Sequence, residues 1–350
     1  TFLPELGGRL YGVTDKASGE ELLYQNPVIK PNLGHWGPPE QPWWLAAGGV
    51  EWCLPVEEHG YEWALPWGYE TEVLPNEARI TLWDSKATDR VRAEITVRLP
   101  ADGADFTISP WLVNPTDKPV TFKFWHNAML APGAANTVGP DLRFVVPVDQ
   151  VEVHSSGNFA EHQVLSWPVH DGVDYARLGN WDQWLGFFAY PAAVRDWAGV
   201  YDGAARRGFA RVFPRGGAPG VKGFGFGWRS PIDWQVWTDD GSTYVELHGG
   251  PSPTFWDSLT LQPLQTWGWT ETWLPVRDLP ALSWAGAELA IGLQAGDGVL
   301  HLGLLSPRRH TATVQLWRRS DCTPLWQEDG VELLPGAAAG QSAPDRSVAP

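Results

Sequence analysis

The sequence predicts an all-β protein, and three observations carry that reading. Gly (38) and Pro (31) together fill about one position in five of the 350 residues, which excludes helical bundles, coiled coils and helical solenoids. Apolar and polar residues alternate with period two along most of the chain, the pattern of strands with one buried face. Turn-forming clusters interrupt these runs at short intervals, as in a sandwich or barrel.

Taken in chain order, the first notable element is a loop over 29–54, rich in Pro, Gly and Trp. Long loops in compact domains usually carry function. Over 91–99 the odd positions are apolar and the even ones polar, which predicts a half-buried strand. The next strand places Val120, Phe122, Phe124 and His126 on one face and Thr121, Lys123 and Trp125 on the other. Asn114-Pro115-Thr116-Asp117 and Asp239-Asp240-Gly241-Ser242 read as hairpin turns. After Pro280 the character changes: 288–293, 299–304 and 311–317 predict short strands of a small appended unit. The Ala, Gly, Ser and Pro of 336–350 predict a linker or frayed tail. The expected organisation is a main β domain over 1–279, an appended β unit over 280–335 and the tail. No internal repeat of 20–50 residues supports a propeller.

The formal net charge of −16 opposes binding to phosphate backbones and anionic lipid, so neither nucleic acid nor membrane is an expected partner. No run approaches the roughly 18 apolar residues of a membrane helix, so the chain is expected to be soluble. Cys53 and Cys322 have no metal-ligand spacing and read as buried free thiols, which favours a reducing, cytoplasmic compartment. Neither a metal nor another cofactor is expected. The chain opens at Thr1 without a charged and apolar leader and reads as a trimmed or processed chain.

The 23 Trp against eight Tyr point to carbohydrate, because indole faces stack on the C–H faces of sugars. Four constellations could carry chemistry. Alternation puts Trp267, Trp269, Glu271 and Trp273 on one strand face, three platforms around a carboxylate. Tyr244, Glu246 and His248 share another face, opposite Val245 and Leu247, and offer groups suited to proton transfer. His126 ends a strand face that is otherwise apolar. Gly48-Gly49-Val50-Glu51-Trp52 with His59 adds two titratable groups beside a close backbone approach.

In order along the chain, several segments resemble the galactose-mutarotase-like (aldose 1-epimerase) superfamily. They are Leu6-Gly7-Gly8-Arg9-Leu10, then 112–117 through Phe124-Trp125-His126-Asn127, and Tyr244-Val245-Glu246-Leu247 with Leu261-Gln262-Pro263. Closer still is an uncharacterised bacterial branch that often precedes tetratricopeptide repeats. Its members resemble 21–28, Gly48-Gly49-Val50-Glu51-Trp52, Lys222-Gly223-Phe224-Gly225-Phe226-Gly227-Trp228 and Glu271-Thr272-Trp273-Leu274-Pro275. The resemblance spans about residues 3 to 277 and implies a β-supersandwich with a sugar cleft across its concave face. It also implies that His126 is the acid toward the ring oxygen and Glu246 the base toward the anomeric hydroxyl. A downstream domain in a longer protein would fit the same branch.

Three functions follow as expectations. The first is a glycoside hydrolase acting on a neutral oligosaccharide, its catalytic pair drawn from Glu51, Glu246 and Glu271. Its subsites would come from Trp267, Trp269, Trp273, Trp36, Trp44, Trp52 and Trp228, with His59, Tyr244, His248, Lys222 and Arg9 as polar contacts. The second is an aldose 1-epimerase using His126 and Glu246. The third is a non-catalytic sugar-binding module.

Overall fold

The computed structural model describes all residues except 17, 27–36, 38–42, 57, 86–88, 233–237, 239–241, 297 and 345–350. Two antiparallel sheets form the main domain. The first runs Phe2–Leu3, Arg9–Leu10, Val50–Cys53, Trp125–Leu130, Val245–Gly250, Gly220–Gly225, Leu185–Tyr190, Gln150–Ser156 and Val164–Ser166. The second runs Leu142–Val145, Trp197–Asp202, Arg207–Val212, Glu271–Arg277, Phe106–Val113, Arg92–Pro100, Glu77–Trp83 and Gly68–Val73, with Thr266–Gly268 also paired to Phe106–Val113. This is the predicted β-supersandwich. Among the described residues the one helical element is a 3-10 turn at Leu178–Asn180, and no helix is long and apolar enough to cross a membrane.

The two sheets bury their outer faces unequally, and that difference positions the site. In Arg92–Pro100 buried residues alternate with partly or fully exposed ones, so this end of the second sheet is wet outside and apolar inside, whereas Trp197–Asp202 is buried at every residue. The three central strands of the first sheet, Trp125–Leu130, Val245–Gly250 and Gly220–Gly225, are buried at every residue. One face of each meets the second sheet; the other is covered by loops. Polar side chains there are out of water and must find partners within the protein.

The sequence-predicted strand running through His126 is two strands. Val120–Phe122 pairs with Leu259–Leu261, and Trp125–Leu130 belongs to the first sheet. Asn114 turns the chain as expected, its Nδ2 donating to the Lys118 and Leu261 carbonyls. The predicted turn at 239–242 falls largely outside the described residues. The appended unit is a four-stranded sheet of Trp284–Gly286, Leu289–Gly296, Val299–Leu305 and Ala338–Pro344, with a separate hairpin of His310–Arg318 and Thr323–Leu333. Ala338–Pro344 corrects the expectation of a frayed tail: its backbone pairs with Val299–Leu305, a tertiary contact that offsets the poor strand propensity of its Ala and Gly. Leu279, Leu282 and Ala285 join the unit to Leu274 and Val276 of the second sheet. Cys53 is buried and Cys322 exposed, both free, so only one of the two thiols is in the predicted environment.

Candidate functional site

Residues directly opposite in neighbouring strands point to the same face. Across the covered face of the first sheet the register therefore lines up Glu51, Asn127, His248, Lys222 and Phe188 in one row. The next row carries Met129, Glu246 and Phe224. Glu246 and His248 thus share a face with Glu51, as the alternation predicts.

Glu246 has one oxygen committed and one open. Its Oε2 lies 2.8 Å from His248 Nε2 and 4.0 Å from Lys222 Nζ. A carboxylate only accepts, so His248 donates through Nε2. Burial first, then the charges of Lys222 and His59, push the His248 imidazole well below its ordinary range against the pull of Glu51. His248 is therefore neutral, and it fixes the rotation of the carboxylate. Glu246 Oε1 is buried and has no hydrogen-bond partner among the described residues. It borders a pocket of about 30 Å³ that His59, Glu58, Lys222, Trp184 and Phe224 also line. That small volume suits a hydroxyl-sized group.

His59 is held from behind by Glu51. Its Nδ1 lies 2.7 Å from Glu51 Oε1, and its ring stacks on Trp44 at 3.7 Å between centroids. Glu51 Oε2 accepts from Arg9 Nη2 at 2.7 Å and from Trp44 Nε1 at 3.1 Å, and Asn127 Nδ2 approaches Oε1 at 3.4 Å. Burial alone would raise the Glu51 carboxyl, but His59, Arg9 and these hydrogen bonds hold it below its ordinary value. Glu51 is thus an ionised, fully engaged acceptor. It sets the His59 tautomer and leaves Nε2 as the ring nitrogen available to a ligand.

One wall of this face is aromatic. Phe255 packs edge-on against Trp125, Phe188 and His248, and Lys222 Nζ sits 4.7 Å from the Phe255 centroid. His154 lies in the same wall with Nε2 3.5 Å from Glu58, and burial lowers it to about 3 with help from Lys222.

The structure separates the other expected residues from this site. His126 points to the opposite face of its strand from Asn127, so it faces the second sheet and not Glu246. There its Nδ1 lies 3.3 Å from Glu271 Oε1, and its ring meets Trp273 edge-on. Burial and the nearby Arg211 charge push His126 well below its ordinary range. Glu271 pairs with Arg211 Nε and accepts from Trp269 Nε1 at 3.2 Å; burial raises its carboxyl against the pull of Arg211. Gly249 makes room for this cluster, since a Cβ there would stand 2.1 Å from the Arg211 guanidinium carbon and 2.4 Å from His126.

Trp267, Trp269, Glu271 and Trp273 do share one face, but it is the face between the sheets. Trp273 is fully buried, Trp269 nearly so, and Trp267 donates Nε1 to the Gly217 carbonyl at 3.0 Å. They are core and not sugar platforms. Trp52 is also buried and donates to the Gly8 carbonyl at 3.0 Å. Tyr244 is buried against Tyr24 at 4.6 Å, and Arg9 is consumed by Glu51 and the Gly48 carbonyl. Trp228 is exposed beyond the end of Gly220–Gly225. Trp36 lies outside the described residues.

Sequence reasoning missed Asn127, Glu58 and the Phe188–Phe255 wall. Asn127 adjoins His126, and a shift of one residue along a strand changes the face. Glu58 stands at φ 61° in a turn, where no periodicity marks it. Among the described residues no group of three or more His, Cys, Asp or Glu is placed to hold a metal ion.

Comparison with solved structures gives the same fold. A TPR-domain containing protein from Parabacteroides distasonis superposes with a TM-score of 0.66 at 22% identity, over 81% of this chain and 48% of its own. The chain thus spans about half the length of that protein. The Slr1438 protein from Synechocystis matches with a TM-score of 0.56 at 13% identity, over 79% of this chain and 91% of its own. A galactose mutarotase-like protein from Clostridium acetobutylicum matches with a TM-score of 0.54 at 9% identity, over 79% and 92% respectively. The model of a domain of unknown function, DUF5107, matches residues 1–276. The chain therefore belongs to the DUF5107 family and has the galactose-mutarotase-like fold.

Proposed function

We propose that this domain is a carbohydrate-active enzyme of the aldose 1-epimerase type, with Glu246 as the base and His59 as the acid. The observation that carries the reading is the open oxygen of Glu246, buried at a pocket while its partner oxygen is fixed by a neutral histidine. A buried acceptor left without a donor costs free energy unless a ligand supplies one. An anomeric hydroxyl is such a donor.

In the proposed reaction Glu246 Oε1 takes the proton of the anomeric hydroxyl. The electron pair of that O–H bond forms the carbonyl, the ring C–O bond breaks, and its electrons take the Nε2 proton of His59 onto the ring oxygen. His59 enters the step as the imidazolium with Nδ1–H on the Glu51 carboxylate and is left neutral with its Nδ1–H still on Glu51. Rotation of the free aldehyde and the reverse transfers give the other anomer, so acid and base are restored. Glu51, Arg9 and Trp44 hold His59; His248 and Lys222 hold Glu246.

Hydrolysis needs a second carboxylate beside the first. Glu51 is fully engaged and Glu271 faces the other sheet, so the expected hydrolase pair is not supported. Among the described residues Glu58 is the other carboxylate that lines the pocket. The deciding experiment follows α/β interconversion of a panel of free aldoses by polarimetry and, in parallel, release of reducing ends from neutral oligosaccharides. The epimerase reading expects catalysed interconversion and no new reducing ends. Reducing ends that vanish with Glu58→Gln would replace it with hydrolysis, and sugar binding without either activity would replace it with a binding module.

A further inference from the structure

The pocket beside Glu246 holds a second buried group whose hydrogen bonds are not met within the protein. Lys222 is 3% exposed in the middle of Gly220–Gly225 and lines the same small pocket. Its Nζ lies 3.4 Å from His248 Nε2, but that nitrogen already donates its proton to Glu246 Oε2 and cannot accept. Among the described residues the ammonium makes no other hydrogen bond.

The fold also keeps this ammonium away from the nearest carboxylate. A direct lysine–carboxylate contact closes to about 2.8 Å, whereas Nζ stops 4.0 Å from Glu246 Oε2. Cation–π contact holds it there: Nζ is 4.7 Å from the Phe255 centroid and 5.7 Å from that of Phe224. Phe255 is itself wedged edge-on among Trp125, Phe188 and His248, which fixes the ring.

Two unmet groups thus share one pocket, the acceptor Glu246 Oε1 and the N–H donors of Lys222. Leaving either buried and unpartnered costs free energy that a ligand can recover. The pair also selects the ligand atom. An anion would be repelled by the Glu246 carboxylate and a cation by the Lys222 ammonium, while an alkyl group would satisfy neither. A neutral hydroxyl satisfies both, donating to Oε1 and accepting from Nζ.

We propose that Lys222 is a catalytic residue that binds the anomeric oxygen and stabilises the negative charge that develops on it. The inference rests on the epimerase reading for the identity of that oxygen. As Glu246 Oε1 removes the hydroxyl proton, the electron pair left on the oxygen lies against a Lys222 N–H before the ring C–O bond has broken. A donor fixed in advance needs no reorganisation at that moment. In the reverse direction the same N–H polarises the aldehyde carbonyl toward attack by the ring hydroxyl. Lys222 keeps all three protons throughout, so the transfers at Glu246 and His59 balance without it.

The test pairs deletion of the oxygen with deletion of the lysine. Isothermal titration compares D-glucose and D-galactose with 1,5-anhydro-D-glucitol and 1,5-anhydro-D-galactitol, which lack only the anomeric hydroxyl. Wild type is expected to prefer at least one aldose over its anhydro form by about tenfold or more, the range of a charge-assisted hydrogen bond. In Lys222→Met that preference should largely disappear, because affinity for the aldose falls while that for the anhydro sugar stays. A lysine that merely supports Glu246 would weaken both ligands alike. Lys222→Gln keeps a polar group in the pocket and, should Lys222→Met not fold, is expected to show most of the same loss. Polarimetry should show kcat lower by about 100-fold or more in either variant, on top of the loss of affinity. Equal wild-type affinity for aldose and anhydro sugar would overturn the proposal, as would a preference that both variants retain. Catalysed interconversion without this coupling would remove Lys222 from the chemistry and leave the epimerase reading standing. Coupling without interconversion would keep Lys222 on the anomeric oxygen and overturn the epimerase reading instead, and absence of sugar binding would overturn both.

Discussion

Replacing Glu271 by Gln separates a structural acid from a catalytic one. Arg211 is fully buried between the sheets, with Nε on Glu271, Nη1 donating to the Gly220 carbonyl at 2.9 Å and the guanidinium 4.1 Å from the Phe213 centroid. Its Nη2 has no hydrogen-bond partner among the described residues. A Gln carbonyl keeps an acceptor for Nε but removes the charge that balances the cation among the described residues. Breaking a buried pair from one side costs about 3–5 kcal/mol, against a total of roughly 5–15 kcal/mol for a domain. With a urea dependence of about 3 kcal/mol/M, the midpoint should fall by about 1 M or more. Intrinsic fluorescence reads it directly, since Trp269 and Trp273 touch the cluster. The double replacement Arg211→Met with Glu271→Leu removes both charges at similar volume and should recover most of the loss. Activity per folded molecule should change little in either variant. An unchanged midpoint with turnover lost would refute the assignment and return Glu271 to the chemistry. A double variant as unstable as Glu271→Gln would refute the charge argument.

Three further outcomes follow from the same geometry. Glu51 is held below the ordinary glutamate value of 4.5, so its stabilising contribution is present above that pH and is lost as pH falls through the folded value. The stability gap between wild type and Glu51→Gln should therefore shrink on acidification below about pH 4.5, and a gap independent of pH would contradict the ion-pair account. Burial raises the Cys53 thiol well above its ordinary value, whereas Cys322 is exposed, so a thiol reagent should titrate one cysteine in the native protein and two in denaturant. Trp44→Phe keeps a ring against His59 but drops the indole donor to Glu51, and should lower turnover more than it lowers sugar affinity, as read from kcat and KM.

Much of this is legible in the sequence. Alternation over 91–99 located the Arg92–Pro100 strand, and the pattern of Tyr244, Glu246 and His248 placed the latter two correctly on one face. Period two assigns residues to faces, but it does not say which face meets the other sheet and which meets the site. Trp125–Leu130 is buried on both sides, so no solvent-facing polar residue distinguishes His126 from Asn127. The same limit misdirected the indoles: Trp267, Trp269 and Trp273 share a face as predicted, yet the layer that covers it is a tertiary fact. The Glu51–His59 pair was visible as two titratable groups, whereas the role of Glu51 as a support depends on Arg9 and Trp44 arriving from other segments.

The central claim is that the open oxygen of Glu246 does the chemistry, and one comparison tests it most directly. Turnover and sugar binding are measured for wild type and Glu246→Gln with the best substrate of the aldose panel. Gln keeps the shape and the hydrogen bonds to its neighbours but cannot take a proton. The account predicts turnover lower by about 100-fold or more with binding largely retained, as for the loss of a general base. Turnover that survives the substitution at wild-type level would contradict it.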